Sequence, residues 1–474
     1  MPFKGVREFI TKLEKEGEAQ RIEEEVDWNL EAGAMIRRSN ERGLPAPFFQ
    51  EVKGYPDGYR LFGEVLGNHR RVAIAMDMAP DTPVKELIEE YLCRKQRAIK
   101  PVLVDDGPCK ENIHVGDEVD LLKFPVPKVH DGDGGRYIGT FHLTISKDLD
   151  SGWVNWGMYR HMLHDKNTVG VLSSPHTHLG VMRTQQYEPS NKTMEIAIAI
   201  GVEPISAFCA ASPIPYGVSE ADVAGGIRGE SVELVKCETV GLTVPATAEI
   251  VIEGEIKPGE TRDEGPFGEY TGYMAGHRGP RPVIHVKAVT HRNNPILTMG
   301  CEGIPVTNSH IIMSVTRAAE FLEILRARGL PVSSVSEPAE GAQTVAVVAV
   351  KAGGRADDVA HAIWASRAGS GTPYVIVVED DVDPFNLAEV FHALVTKCHP
   401  YRGITRLEHA TGATLLPWLT KHEQKYLLAA RAYFDCTWPV DWEPSDIPKR
   451  SSFDNIYPLG VQQEALAKWQ KYGY

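Results

Sequence analysis

Residues 264–273 read EGPFGEYTGY and set two carboxylates, Glu264 and Glu269, five positions apart with only Gly-Pro-Phe-Gly between them. Pro266 has no N–H to give a helix and restricts Gly265 to an extended conformation, while Gly265 and Gly268 permit close approach by another group. Two acids on such a loop suit general acid–base chemistry, because burial can raise one pKa while the other acid stays ionised. The plain alternative is a tight turn between strands with both acids facing solvent.

A second stretch, NWGMYRHMLHDKNTVGVLSSPHTHLG at 155–180, carries His161, His164, His176 and His178 together with Asn155 and Arg160. His176 and His178 form an H-x-H pair; on a strand both would share a face, as in many zinc and iron sites. The competing reading is a polar loop whose histidines bind nothing. Arg160 has the planar fork that grips a carboxylate, or else makes a surface ion pair. A third stretch, SPIPYGVSEADVAGGIRGE at 212–230, contains Ser219 and Glu220, which suit the start of a helix. Glu220 is equally a hard oxygen ligand for Mg²⁺ or Mn²⁺. DGDGGRYIG at 131–139 looks like a phosphate loop but does not fit G-x-G-x-x-G followed by a helix, so it reads as turns.

The elements that hold these residues belong to a chain of 474 residues, enough for roughly two or three domains. Its 50 lysines and arginines stand against 64 aspartates and glutamates, a formal net charge of −14, and no basic run occurs, which argues against nucleic acid as a partner. No apolar run approaches the ~20 residues that span a bilayer. Val6, Phe9, Ile10 and Leu13 fall at helical spacing, so the N-terminus reads as a surface helix of a cytoplasmic protein rather than a signal peptide. The seven scattered cysteines include no C-x-x-C pair and indicate neither disulfides nor a thiolate zinc site.

A helix is expected to start at Thr82-Pro83, and residues 101–140 read as Pro-, Gly- and Asp-rich loop. YIGTFHLTIS, NKTMEIAIAIGV, ATAEIVIEGEI and RPVIHVKAVTH predict one large mixed sheet system between 140 and 300. NSHIIMSVTRAAEFLEILRARGL predicts a long helix over 308–328 that joins two domains. After it, TVAVVAVKAGG, RADDVAHAIWASR, PYVIVVEDDVD and NLAEVFHALVTKC alternate strand and helix, the pattern of a parallel α/β layer. The fold class is α/β in the broad sense (α+β overall). It comprises a site-bearing domain over 1–307, the helix 308–328, a smaller C-terminal α/β domain over 329–430, and an aromatic tail over 431–474. The tail is expected to pack on a neighbouring surface, making the protein a homodimer or higher oligomer.

Taken together these stretches resemble the UbiD-type decarboxylases, nearest to the ferulic/cinnamic acid decarboxylase branch. GGRYIGT, NWGMYR, PIPYGVSEAD, GESVELVKCET, VPATAEIVIEGE, EGPFGE, HRNNPIL, DDVDPFN and WQKYGY carry the resemblance in order along nearly the whole chain. It implies a split-barrel flavin-reductase-like N-terminal domain that binds prenylated FMN, supplied by a partner prenyltransferase, with Mn²⁺ (or Mg²⁺) and K⁺. It implies Asn155, His178 and Glu220 as ligands of a metal that bridges to the cofactor phosphate. Trp156, Gly157, Met158, Tyr159 and Arg160 would lie against the cofactor, with the Trp156 carbonyl at the potassium site. Arg367 falls where the branch has a lysine reaching the phosphate. Arg160 would hold the substrate carboxylate, and Glu264 and Glu269 would be the paired acids, Glu269 the proton donor.

The chain departs from the branch at two places. The branch has Pro-Gln-His where this chain has SPHTHLG; His178 is preferred to His176 because Leu179 follows it and its spacing from Asn155 suits. Tyr270 stands where the branch often has a smaller apolar residue, which narrows or polarises the substrate pocket.

The activity implied is reversible non-oxidative decarboxylation of an aromatic, heteroaromatic or α,β-unsaturated acid, releasing CO₂ through a covalent substrate–cofactor adduct. Cinnamic-type acids, hydroxybenzoates and furan, pyrrole or indole carboxylates all stay open as substrates, as does the physiological direction. The rival readings are a metal-dependent hydrolase or oxygenase built on the 161–178 histidine cluster, and a non-catalytic flavin-binding protein.

Overall fold

The computed structural model describes residues 2–275, 277–412 and 415–474. The N-terminal helix Val6–Lys15 buries Val6, Phe9, Ile10 and Leu13, the positions picked out by helical periodicity. The helix Val84–Lys95 begins directly after Pro83. Among the described residues no helix is long and apolar enough to cross a membrane, and the seven cysteines are all free.

The framework is a nine-stranded sheet. Arg136–Gly139, His161–Asp165, Thr168–Val171, Gly279–His291, Ile250–Glu264, Met194–Ile200, His142–Lys147 and Val154–Gly157 follow one another across it, and Asn112–Val115 pairs with Gly279–His291. Neighbouring strands in it run antiparallel, so the large sheet is not the mixed one predicted. Short turns, such as that between His161–Asp165 and Thr168–Val171, return the chain antiparallel, whereas parallel pairing needs a long crossover. Before residue 307, parallel pairs occur in two smaller sheets, where Ala19–Ile22 lies beside Ala46–Phe49, Arg60–Gly63 beside Ile296–Met299, and Val102–Leu103 beside Glu233–Lys236.

The strand Met194–Ile200 shows why the sheet is apolar on both sides. Ile196, Ile198 and Ile200 enter one hydrophobic core and Ala197 and Ala199 the other, as alternation along a strand requires. Helix Asn308–Ala327 packs against Val84–Lys95, Val332–Ser336 and Ala356–Trp364. Burial on several sides accounts for its apolar run.

The C-terminal sheet is five-stranded, in the order Val332–Ser336, Val345–Val350, Tyr374–Glu379, Leu428–Cys436, Ile404–Thr411. The middle three strands are parallel and both edges antiparallel. The boundary expected at 430/431 therefore falls inside a strand: Leu428–Cys436 hydrogen-bonds on both sides and cannot be split from the sheet. Beyond it, Val440, Leu459 and Tyr474 are exposed.

Candidate active site

A cavity of about 600 Å³ opens between the large sheet and the C-terminal layer. Strand Val154–Gly157 brings Asn155, Trp156 and Gly157 to it, and Met158, Tyr159 and Arg160 continue along its wall. Ser219 caps helix Glu220–Arg228 by accepting from Asp222 N–H, which places Glu220 in the first turn, facing the cavity. The H-x-H pair does not lie on a strand. His178 opens the short helix His178–Met182, capped by Thr177, and is buried, whereas His176 is exposed in the preceding turn. The shared-face expectation thus fails, because His176 lies in a turn and Thr177, between the two histidines, caps the helix that begins at His178.

His178 joins Asn155 and Glu220. Its Nδ1 lies 2.7 Å from Asn155 Oδ1 and 3.7 Å from Glu220 Oε1. Arg367 Nη1 donates to His178 Nε2 and, at 3.1 Å, to the Ile214 carbonyl. A guanidinium can only donate, so Nε2 accepts and the ring proton sits on Nδ1, facing Asn155. Trp156 N–H donates to Glu220 Oε2 at 3.0 Å. Burial raises the Glu220 carboxyl to about 8, and burial with the nearby Arg367 charge lowers His178 to about 3. Burial thus keeps Glu220 protonated beside a neutral imidazole already bonded to Asn155 and Arg367; the three groups are nonetheless oxygen and nitrogen donors of the kind a hard divalent ion takes, and such an ion would hold Glu220 ionised.

The remaining histidines are elsewhere. His161 is in the core, with Nε2 2.8 Å from Thr144 Oγ1 and its ring against His142. Among the described residues no three His, Cys, Asp or Glu side chains form a metal-binding group. The 161–178 histidines therefore do not form one cluster, since the fold sends His161 and His178 into different surroundings.

The acid pair is held around Arg160. Its Nε and Nη2 donate to Glu264 Oε1 and Oε2, both at 2.9 Å, and Nη1 donates to Glu269. Glu264 ends the strand Ile250–Glu264 and is fully buried behind the arginine, while Glu269 lines the cavity. Burial, opposed by Arg160 and reinforced by Glu302, raises Glu269 to about 7. The Arg160 guanidinium also lies 5.5 Å from the centre of the Phe267 ring.

Gly265 is not extended as expected. It has φ 84° before a cis bond to Pro266; restriction before proline acts through Cβ, which glycine lacks. The segment read as plain turns, 131–139, buttresses this loop. Gly134 N–H donates to the Pro266 carbonyl at 2.8 Å, Asp133 Oδ1 accepts from Gly268 N–H at 3.1 Å, and Tyr137 hydroxyl donates to Glu264 Oε1 at 2.8 Å. The sequence reading missed these residues, along with Glu302, Met313, Arg317 and Gln343 on the cavity wall. For Ser309, Met313 and Arg317 the four-residue spacing along one helix was the available signal.

The chain matches the three 3-octaprenyl-4-hydroxybenzoate carboxy-lyase (UbiD) domain models: N-terminal over residues 10–91, Rift-related over 100–305 and C-terminal over 310–436. It is 33% identical to the pyrrole-2-carboxylic acid decarboxylase of Pseudomonas aeruginosa, across 99% of this chain and 98% of the relative. Ferulic acid decarboxylase 1 of Saccharomyces cerevisiae is 32% identical, with the same shares covered. Among solved structures, the closed form of the Sedimentibacter hydroxybenzoicus vanillic acid decarboxylase superposes with TM-score 0.90 at 28% identity, covering 100% of both chains. The UbiD-class enzyme HmfF from Pelotomaculum thermopropionicum, solved with FMN, does so at 0.84 and 31% identity, covering 98% of this chain and 100% of that one. Domain models and relatives alike align along nearly the full length of the sequence, and the chain therefore belongs to the UbiD family of carboxy-lyases.

Proposed function

We propose that this protein catalyses the reversible, non-oxidative decarboxylation of an aromatic, heteroaromatic or α,β-unsaturated carboxylic acid, with prenylated FMN as cofactor. One observation carries the reading: a buried arginine, fixed at two points by Glu264, faces the cavity beside an acid, Glu269, whose pKa is raised to about 7. Arg160 orients the substrate carboxylate, and Glu269 holds the proton that replaces CO₂ on the same carbon.

Loss of CO₂ from an sp² carbon needs an electron sink that no side chain supplies, and prenylated FMN provides it when bound. Asn155, His178 and Glu220 would hold Mn²⁺ or Mg²⁺ next to its phosphate, Arg367 would add a positive charge there, and the Trp156 carbonyl would contribute to a K⁺ site. The run Gly157, Met158 and Tyr159 would line the cofactor's edge. The donor set supports this assignment, since a cation would hold ionised a Glu220 carboxyl that burial otherwise keeps protonated. A prenyltransferase would supply the cofactor. On this reading residues 1–307 form the flavin-binding domain, of split-barrel flavin-reductase type, and the helix over 308–328 links it to a C-terminal domain that takes part in a homodimer or larger assembly.

The test is to purify the protein after co-expression with a prenyltransferase, record its absorbance and the mass of the released flavin, and follow deuterium entering the product carbon across a panel of acids. Bound prenylated flavin with acid-dependent exchange is the expected result. Purified protein that carries the flavin but neither decarboxylates nor exchanges any acid would falsify the reading and leave a flavin-binding protein.

A further inference from the structure

The loop that carries Glu269 is held on both sides by histidines, and the two differ in charge. On one side Gly268 N–H donates to Asp133 Oδ1 at 3.1 Å, and Asp133 Oδ2 accepts from His130 N–H at 2.8 Å. The His130 ring lies directly against Gly268, where a Cβ would come within 2.6 Å of it. Its Nδ1 is 3.1 and 3.2 Å from the two Asp133 oxygens, and its Nε2 is 2.9 Å from the Glu302 carbonyl oxygen. A carboxylate and a carbonyl can only accept, so each ring nitrogen carries a hydrogen and His130 is an imidazolium. A neutral ring would set a nitrogen lone pair against one of these oxygens. Burial disfavours the charged ring, but the hydrogen bond and charge of Asp133, together with the Glu302 carbonyl, outweigh it and raise the His130 pKa.

On the other side of Glu269, Thr307 N–H donates to His310 Nδ1 at 3.0 Å. The His310 proton therefore sits on Nε2, which donates to the Tyr270 carbonyl at 2.6 Å, and burial lowers the ring's pKa, as a neutral imidazole requires. Asp133, His130 and Cys301 stand in the order of a nucleophilic triad, with Cys301 Sγ 3.7 Å from His130 Nε2. The thiol is fully buried, donates to the Gly33 carbonyl at 3.4 Å and has its pKa pushed up by burial, so it is no nucleophile. What the His130 ring does is bridge: the path runs from Gly268 through Asp133 and His130 to the backbone of Glu302. Glu302 is itself anchored, its Oε2 accepting from the Thr307 and Ser309 hydroxyls at 2.8 Å each.

We propose that His130 is a positioning residue for the proton transfer: its imidazolium ties the loop of Glu269 to the segment of Glu302 and so fixes Glu269 beside Arg160. The inference rests on the decarboxylase reading for the role of Glu269, whereas the bridge itself can be measured without turnover.

The test joins histidine-selective nitrogen NMR of the full chain to two variants. In the wild-type protein both ring nitrogens of His130 are expected to be protonated at about pH 7, where an ordinary histidine is mostly neutral; the signals are assigned by their loss in His130→Phe. That variant keeps a ring but no N–H. In cofactor-loaded enzyme it is expected to lower kcat at least about tenfold with KM and flavin content within about twofold, because Arg160 and the groups that would hold the cofactor are untouched. Amide hydrogen exchange over residues 264–273 should quicken about tenfold in the same variant. His130→Lys returns a cation able to donate to both acceptors, and is expected to recover most of the kcat and of the exchange protection. A neutral His130 in the wild-type protein, wild-type kcat and exchange in His130→Phe, or a His130→Lys variant no better than His130→Phe overturns the proposal. So does a loss that falls equally on kcat and flavin content, which marks general damage to the fold. Loaded wild-type protein that turns over no acid overturns the decarboxylase reading, while the nitrogen signals and the exchange rates still decide the bridge.

Discussion

Arg160 and Glu264 meet at two points, Nε to Oε1 and Nη2 to Oε2, each at 2.9 Å, with Glu264 fully buried. The pair fixes the plane of the guanidinium before any ligand arrives. Lysine cannot reproduce that fork, so Arg160→Lys is expected to lose turnover by at least about 10²-fold while retaining flavin. Glu264→Gln leaves the buried arginine under-compensated and is expected to destabilise the protein by about 3–5 kcal/mol. Chemical denaturation curves and flavin content, measured on the same preparations, check both. An Arg160→Lys variant with wild-type turnover means that the carboxylate binds elsewhere.

Gly134 is expected to be intolerant of any side chain. A Cβ there would lie 2.0 Å from the Gly265 carbonyl oxygen, a backbone atom of the loop that carries both acids. Gly134→Ala must push that loop off its Pro266 hydrogen bond, at a cost of about 1–3 kcal/mol, and the displacement should show more in kcat than in flavin affinity. Wild-type kcat and thermal midpoint in this variant would show that the 131–135 turn does not position the acids.

The legibility of this molecule followed the range of its contacts. Asn155 and Arg160 lie in one hexapeptide, and Glu264 and Glu269 in another, so their chemistry could be read locally. Tyr137 could not, because its bond to Glu264 spans 127 positions. Gln343 carries no motif and gains meaning only when Arg317 of a distant helix meets it. The parallel strands Val345–Val350 and Tyr374–Glu379 were legible because burial on both faces makes them continuously apolar. Leu428–Cys436, LAARAYFDC, mixes exposed and buried positions and lacks that signature, which is why the boundary was set inside it. Gly265 departs from the extended conformation expected before proline because, without a Cβ, it is free to take φ 84°.

His178 and His176 are chemically alike but differently placed, and metal content should separate them. His178→Ala removes the imidazole 2.7 Å from Asn155 Oδ1 and is expected to lower bound manganese at least tenfold. His176→Ala, in the exposed turn, should leave manganese content unchanged. Elemental analysis after dialysis against chelator and re-addition of metal gives the comparison. Equal loss in both variants would assign the metal to the H-x-H pair rather than to the Asn155–His178–Glu220 group.

Glu269 sets the expected pH dependence. Burial is the largest influence on its carboxyl, Arg160 opposes it, and the Glu302 charge adds to it, leaving the pKa raised to about 7. The protonated form, the one able to donate, is therefore populated up to about pH 7 and lost above it. kcat/KM should fall on the alkaline side with an inflection near 7. Glu302→Gln removes a like charge and should move that inflection to lower pH, a shift that a merely structural role for Glu302 would not produce. Glu269→Gln keeps the shape of the side chain but has no acidic proton. It should bind flavin and substrate while turnover and deuterium incorporation fall by about 10²–10⁴-fold. Wild-type exchange in Glu269→Gln would mean that the proton comes from another donor and that the loop from Glu264 to Glu269 serves only to hold Arg160.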